Sequence, residues 1–332
     1  MADLVTDPDD YVLSIERYSC SVVSIVGWGR RIDRKDDYIV KIALQMMETI
    51  TTMQVPGAFW MEAIPELTRL PAWIYPLPSK FRAFGNSFRS YWFALTSEGA
   101  EAKEPNFAKY LLKAQTEHRF PDDDIAEMTA NLIGGGVDTS SSTLISSILG
   151  LCVFQGAQLA AQEEIDRVVG RERLPDWPDM ERLPYCQALF KETLRWRSAT
   201  ILGGIPHAPT KDDYYRGYLL PAGIYVAGNL WAIHRNPKDF PEPDVFKPER
   251  YLEENQLPYP NAKGHNAFGW GRRTCSGQPL AEQGLSMAIV KMLWAFHLRP
   301  GLDEQVSPNP RYGIGEIFRA RLTGSSGGRS QA

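Results

Sequence analysis

The chain has 332 residues, of which 43% are hydrophobic and 23% charged, with a net charge of -4. That length buries a substantial core in one large domain or two ordinary ones, and so small a net charge argues against nucleic acid or another polyanion as partner. The four cysteines, Cys20, Cys152, Cys186 and Cys275, lie far apart with no CxxC pair, which argues against a disulfide framework and for a reducing, cytosol-facing setting.

Residues 1–10 are acidic and polar and resemble neither a secretory signal nor a membrane span. No uninterrupted apolar run of about 18 residues occurs, so no transmembrane anchor is expected in this chain. Tyr38, Ile39, Ile42, Met46, Met47, Ile50 and Met53 recur at helical spacing and predict a helix with a core-facing stripe. Residues 55–93 are rich in Pro, Trp and Phe with scattered Arg and Lys. They read as an irregular stretch: a cover over a pocket, a surface that touches a membrane interface, or a loop packed by its own aromatics.

The clearest helix opens at residues 121–124, with acids in its first turn where the macrodipole favours them, and its periodicity continues to about Phe154. At 1.5 Å per residue that is a rod of roughly 48 Å. Further helices are expected over residues 157–169 and 185–196. Beyond Ile201, Gly, Pro and Tyr punctuate short segments, of which 214–219 and 224–227 read as small strands. Residues 236–266 are Pro-rich without periodicity, a length of irregular chain that tends to be functional. A last helix is expected over residues 278–296, and the Gly/Ser-rich residues 323–332 read as a disordered tail on a single domain of residues 1–322. The fold class is therefore mainly α with a small β portion.

Four patterns carry chemistry. In Phe268-Gly-Trp-Gly-Arg-Arg-Thr-Cys275-Ser-Gly277, a cysteine stands just before a helix and just after two arginines. Helix-start N–H groups and two positive charges suit an anionic sulfur, the form in which cysteine binds a metal. The glycines Gly269, Gly271 and Gly277 permit close approach to a flat partner, Phe268 can pack near it, and Arg273 can pair with an acidic group on it. The plainer reading is a buried structural cysteine. In Gly134-Gly-Gly-Val-Asp138-Thr139-Ser-Ser-Ser-Thr143, poor helix formers at mid-helix suggest an opening of the hydrogen-bond ladder, with Asp138 and Thr139 placed to relay protons. A packing contact needing small residues is the alternative. Glu192 and Arg195 share a helix face at i and i+3, and Arg250, in Phe246-Lys-Pro-Glu-Arg250-Tyr251, is placed to tie the Pro-rich stretch down.

In order and spacing these patterns resemble the cytochrome P450 family. Phe268, Gly271, Arg273, Cys275 and Gly277 match its haem signature, Gly136, Asp138 and Thr139 its oxygen-binding motif, Glu192 and Arg195 its Glu-x-x-Arg pair, and Arg250 the arginine that completes that triad. The resemblance covers roughly residues 11–322, the C-terminal two-thirds of the family fold, and implies a fold lacking its N-terminal third. A chain so shortened is expected to hold haem poorly. Within the family it looks most like filamentous-fungal enzymes of secondary metabolism, a leaning supported by Ile205-Pro-His207-Ala and by Trp231-Ala-Ile-His234-Arg-Asn-Pro.

The resemblance implies a haem-dependent monooxygenase that inserts one atom of O2 into a hydrophobic small molecule. Haem b would be held at its iron by the Cys275 thiolate, with Phe268 and Gly271 against it and with Arg273 and His207 at its propionates. Asp138 and Thr139 would be the catalytic proton-delivery pair. NADPH–cytochrome P450 reductase would be the electron donor, and the location cytoplasmic or peripheral on the endoplasmic reticulum membrane. The competing reading is a catalytically impaired remnant without oxygenase activity.

Overall fold

A computed structural model describes residues 2–53, 55, 57–252, 263–300 and 320–324. In order these form the helices α1 (Ala2–Thr6), α2 (Tyr11–Trp28), α3 (Tyr38–Met53), α4 (Trp60–Ala63), α5 (Leu77–Glu101), α6 (Phe107–His118) and α7 (Asp122–Val153). They continue with α8 (Gln155–Val168), α9 (Pro184–Trp196), the hairpin strands β1 (Asp213–Tyr215) and β2 (Tyr218–Leu220), α10 (Leu230–Ile233), α11 (Gln278–Ala295), and the paired strands β3 (Phe296–Pro300) and β4 (Ala320–Gly324). The mainly helical fold with a small β portion is as expected. The chain divides into two compact units, one of residues 12–141 and one of residues 1–11 with 142–332. β4 runs to Gly324, and residues 325–332, where most of the expected tail falls, lie outside the described residues.

In the unit of residues 12–141, α3 presents Ile39, Val40, Ala43, Met46 and Met47 to a core shared with Cys20, Val23 and Trp28 of α2 and with Trp92 and Leu95. The predicted stripe is therefore core, with Ile42 and Ile50 at its margin and Tyr38 exposed.

The irregular reading of residues 55–93 holds only for its first half. Residues 77–93 belong to the 25-residue α5. Pro78 sits in the first turn, where a missing N–H costs nothing. Phe81, Phe84, Phe88, Tyr91, Trp92 and Leu95 then recur at three- and four-residue spacing, a helical period hidden within an aromatic-rich composition. Before α5, Trp60 and Trp73 are largely exposed.

α7 is one uninterrupted helix, so the expected opening of its ladder is not found. The hydroxyls instead add back-bonds. Thr139 Oγ1 donates to the Gly135 carbonyl at 2.6 Å and Ser141 Oγ to that of Val137 at 3.0 Å. The glycines divide in role. A Cβ on Gly136 would lie 2.6 Å from the Val23 side chain, whereas one on Gly134 meets nothing within 4 Å. Gly136 is thus a packing contact with α2.

Gly136→Ala and Gly134→Ala should accordingly differ in sign. The first overpacks against a buried, β-branched neighbour and should cost on the order of 1–3 kcal/mol. The second relieves helix-interior glycine and should stabilise by up to about 1 kcal/mol. Urea midpoints of the two variants measured side by side check this, and equal shifts would refute the assignment. Among the described residues α7 alone is long and apolar enough to cross a bilayer, and half of its most apolar window is buried, as in the core helix of a folded domain.

In the other unit, α8, α9 and α11 pack around Ala161, Ile165, Leu189, Leu285, Ile289 and Leu293. The Glu164 carboxylate accepts from the N–H groups of Tyr185 and Cys186, both at 2.9 Å, and so caps α9. The Gln158 side chain exchanges two hydrogen bonds with the backbone of Leu298, at 2.9 and 2.6 Å, and pins β3 to α8. The single strand expected over 214–219 is instead a hairpin, β1 and β2 turning at Arg216 and Gly217, both at positive φ. Residues 224–227 form no strand, but Val226 bridges His207.

Candidate active site

The Cys275 loop is held by its own backbone. Gly269 and Gly271 have φ of 76° and 58°, a region that excludes most side chains, and a one-turn 3-10 helix covers Gly271–Arg273. The Cys275 N–H donates to the Phe268 carbonyl at 2.9 Å, closing the loop on itself. α11 then begins at Gln278, so the sulfur stands at the N-terminus of an 18-residue helix. Cys275 is the one exposed cysteine. Burial pushes the thiols of Cys20 and Cys152 up to about 12 and that of Cys186 well above its ordinary value. For Cys20, Glu16 and Asp138 add to that rise, and for Cys186, Glu164 does. Phe268 is half-buried, its ring 6.0 Å from that of His265. Arg273 is exposed, and a Cβ on Gly271 would meet nothing within 4 Å. A flat cofactor with an iron centre and carboxylates fits such a set: an accessible soft ligand, an open glycine backbone, an aromatic ring and a cation.

His207 is exposed and fixed through its backbone, exchanging hydrogen bonds with Val226 at 3.0 and 2.7 Å. Two residues on, a Cβ at Gly228 would strike the Trp270 ring at 2.5 Å. That close approach seats the His207 segment against the Cys275 loop. Cys275, Phe268, Gly271, Arg273 and the His207 segment thus share one unit, which the sequence order alone did not require.

Asp138 lies in the other unit, where it lines a cleft of about 650 Å3 with Glu16, Lys41, Gln45, Glu48 and Thr51. Its partial burial raises its carboxyl above the usual carboxylate range. Such burial favours the protonated acid more than at an exposed aspartate. Thr139 follows it, half-buried and back-bonded to Gly135.

Glu192, Arg195 and Arg250 form a buried cluster. Arg195 grips Glu192 through two bonds of 2.7 Å, and Arg250 Nε donates to the same carboxylate at 3.2 Å. The two guanidiniums also donate to the carbonyls of His234, Pro241, Glu242, Pro243 and Val245. The expected tie on the Pro-rich stretch is therefore present.

His234 belongs to the same framework, although the sequence pattern assigned it no role. Its carbonyl takes Arg195 Nη1 at 2.9 Å, and its Nε2 accepts the Asn266 N–H at 3.0 Å. The Asn266 carbonyl in turn accepts from Gly269 in the Cys275 loop at 2.9 Å. Burial first, and then the Arg195 charge, lower the His234 pKa to about 4. A proton on Nε2 would also face the Asn266 N–H. The unfolded chain, with histidine near its ordinary value, binds this proton first. The stability that neutral His234 contributes should therefore be complete above pH about 6.5 and be lost as pH falls toward about 4. Urea titrations across that window check the slope, and His234→Gln, which keeps an acceptor, should flatten it. An equal slope in the variant would contradict this.

Comparison with known proteins places these features. The family model described as Cytochrome P450 matches residues 6–317. Similar proteins include a cytochrome P450 monooxygenase of Armillaria gallica, 30% identical over an alignment of 318 residues that covers 93% of this chain and 62% of the relative. Cytochrome P450 monooxygenase 69 of Postia placenta is 35% identical, covering 88% and 56%, and the monooxygenase fogE of Aspergillus ruber is 32% identical, covering 91% and 58%. The chain thus spans about three-fifths of the length of the curated relatives it matches.

Proposed function

The chain belongs to the cytochrome P450 family, and on that premise we propose that it is a haem-dependent monooxygenase that inserts one atom of O2 into a hydrophobic small molecule. The observation that carries this reading is Cys275, the one accessible thiol, set in a glycine- and arginine-rich loop at the start of α11. Cys275 would hold the haem iron, Phe268 and Gly271 would lie against the ring, and Arg273 and His207 would take its propionates. Bound there, haem would activate O2 with two electrons from the donor and two protons, one atom going to substrate and the other to water.

Asp138 and Thr139 are the proton-delivery pair. In this reading the Asp138 carboxyl, which lines the polar cleft, would take up and release the protons, and the adjacent Thr139 hydroxyl would pass them on. NADPH–cytochrome P450 reductase is the electron donor, and the location is cytoplasmic or peripheral on the endoplasmic reticulum membrane. A role in fungal secondary metabolism rests on the Ile205-Pro-His207-Ala run and on relatives that are fungal monooxygenases. A remnant without oxygenase activity is not favoured, since it has no physical need for an acid beside an alcohol.

The reduced, carbon-monoxide-bound absorption spectrum of the purified chain tests the reading, and a chain that binds haem but shows no thiolate-type band would refute it. A second test separates the roles. Thr139→Ala should leave that spectrum intact while product formed per NADPH falls several-fold and peroxide rises. Unchanged coupling in that variant would remove Thr139 from the proton path.

A further inference from the structure

Four aromatic rings in the unit of residues 12–141 form a continuous line from its core to its surface. Trp28 and Trp92 stack with centroids 5.7 Å apart and planes 13° from parallel. Trp92 meets Tyr91 at 4.7 Å, and Tyr91 meets Tyr38 edge-on at 6.2 Å. The two tryptophans are 1% exposed and Tyr38 is 41% exposed. Arg30 caps the outer end, its guanidinium 4.6 Å from the Tyr38 ring centroid, donating to the Tyr38 hydroxyl and paired with Asp37 at 3.2 Å. Gly99 makes room for the inner end, since a Cβ there would lie 3.1 Å from Trp28.

The polar atoms along this line have an unusual distribution. Trp28 Nε1, Trp92 Nε1 and the Tyr91 hydroxyl are buried without a hydrogen-bond partner. Buried polar groups are ordinarily satisfied, so three orphans in consecutive rings call for an explanation. Such a group has no base to take its proton. An indole that loses an electron there keeps its N–H and remains a radical cation, able to draw an electron from the next ring. Tyr91 cannot shed its phenol proton, so it is harder to oxidise than its neighbours and bridges them without itself holding the vacancy. Tyr38 differs, because its hydroxyl lies at the surface where water can accept the proton.

The geometry points to an oxidisable path in which Trp28 and Trp92 pass a one-electron oxidising equivalent across the Tyr91 ring to Tyr38, and so from the core of this unit to solvent. The balance is simple. A strong one-electron oxidant, of the kind formed when oxygen activation is not coupled to substrate, takes an electron from Trp28 or Trp92. Tyr38 returns that electron through Tyr91, its O–H proton passes to water, and the neutral tyrosyl radical left is not opposed by the Arg30 charge. A small solution reductant such as ascorbate then restores Tyr38 by giving a hydrogen atom. The biological use of the chain rests on the oxygen-activating function proposed above, but the transfer itself does not.

The test therefore starts the transfer with light. Laser photoionisation of tryptophan in the full chain, without added haem, creates indole radicals in the core. A nitroso spin trap with peptide mapping then reads the radical that reaches Tyr38. The wild-type chain should give an adduct on Tyr38 and a concentration-independent decay of tryptophyl into tyrosyl absorbance. Trp92→Phe, which leaves Tyr38 in place, should lower the Tyr38 adduct several-fold. Tyr38→Phe, a change at an exposed ring that keeps the fold, should remove most of the fast tyrosyl phase, while Tyr91→Phe should retain both signals. An adduct yield on Tyr38 unchanged in Trp92→Phe, or a tyrosyl phase unchanged in Tyr38→Phe, would overturn the proposal. Failure of the haem spectrum with the transfer intact would instead count against the monooxygenase reading alone.

Discussion

Replacing Cys275 with serine should abolish the red-shifted Soret band of the reduced, carbon-monoxide-bound chain, while alanine at Cys20, Cys152 or Cys186 should leave the band where it is. The contrast follows from exposure. Three thiols are buried and have their pKa raised by that burial, so none can offer a thiolate to an incoming metal. Cys275 is exposed, and its loop is held by the Cys275 N–H to Phe268 carbonyl bond and the positive φ of Gly269 and Gly271, none of which involves the sulfur. The serine variant should therefore keep its far-ultraviolet circular dichroism and its urea midpoint. Loss of the band with loss of fold would be uninformative for the wild-type assignment, which is why the stability control belongs to the experiment. A serine variant that binds haem equally well and gives an unchanged spectrum would show that another residue is the ligand.

Glu192→Gln should be among the most destabilising single changes in the chain, on the order of 3–5 kcal/mol, because it leaves two guanidiniums facing a buried site without their counter-charge. Glu192 and Arg195 are fully buried and Arg250 nearly so. The carboxylate takes two bonds from Arg195, one from Arg250 and the Lys247 N–H at 2.8 Å. Against a total stability of roughly 5–15 kcal/mol, that loss unfolds a large fraction of the chain at modest urea. Apolar replacement of all three residues should not rescue it. The guanidiniums also satisfy the carbonyls of His234, Pro241, Glu242, Pro243 and Val245, which would then be orphaned. Urea unfolding measures the first effect, and limited proteolysis of residues 236–252 reports whether the Pro-rich stretch comes loose. A shift in the range of an exposed pair, below about 1 kcal/mol, would contradict the buried geometry.

Much of this protein is local and was legible without coordinates. α3, α7, α8, α9 and α11 follow from the 3.6-residue period and from helix-start signals, which are properties of neighbours in the chain. The Cys275 loop is likewise contiguous: Phe268, Gly271, Arg273 and Cys275 lie within eight residues, so spacing alone exposes the pattern. α5 escaped because its aromatic-rich composition concealed an ordinary helical period. The hairpin β1–β2 was read as one strand because a two-residue turn barely interrupts the pattern.

Burial, and with it the meaning of each polar group, comes from packing between remote segments. In the sequence Glu192 and Arg195 look like a surface pair; 58 residues on, Arg250 closes over the same carboxylate and makes the cluster indispensable. Nothing local shows that Cys275 is exposed while Cys152 is buried, or that His234 has a lowered pKa; distant segments decide from which group water is excluded. Gly134 and Gly136 are identical letters, distinguished only by Val23 lying against the second. Desolvation and close packing depend on which remote residues arrive at a point in space. The period of a helix and the spacing of a loop motif do not, so most helices and the Cys275 motif can be read along the chain, while the groups accessible to chemistry emerge only once it is packed.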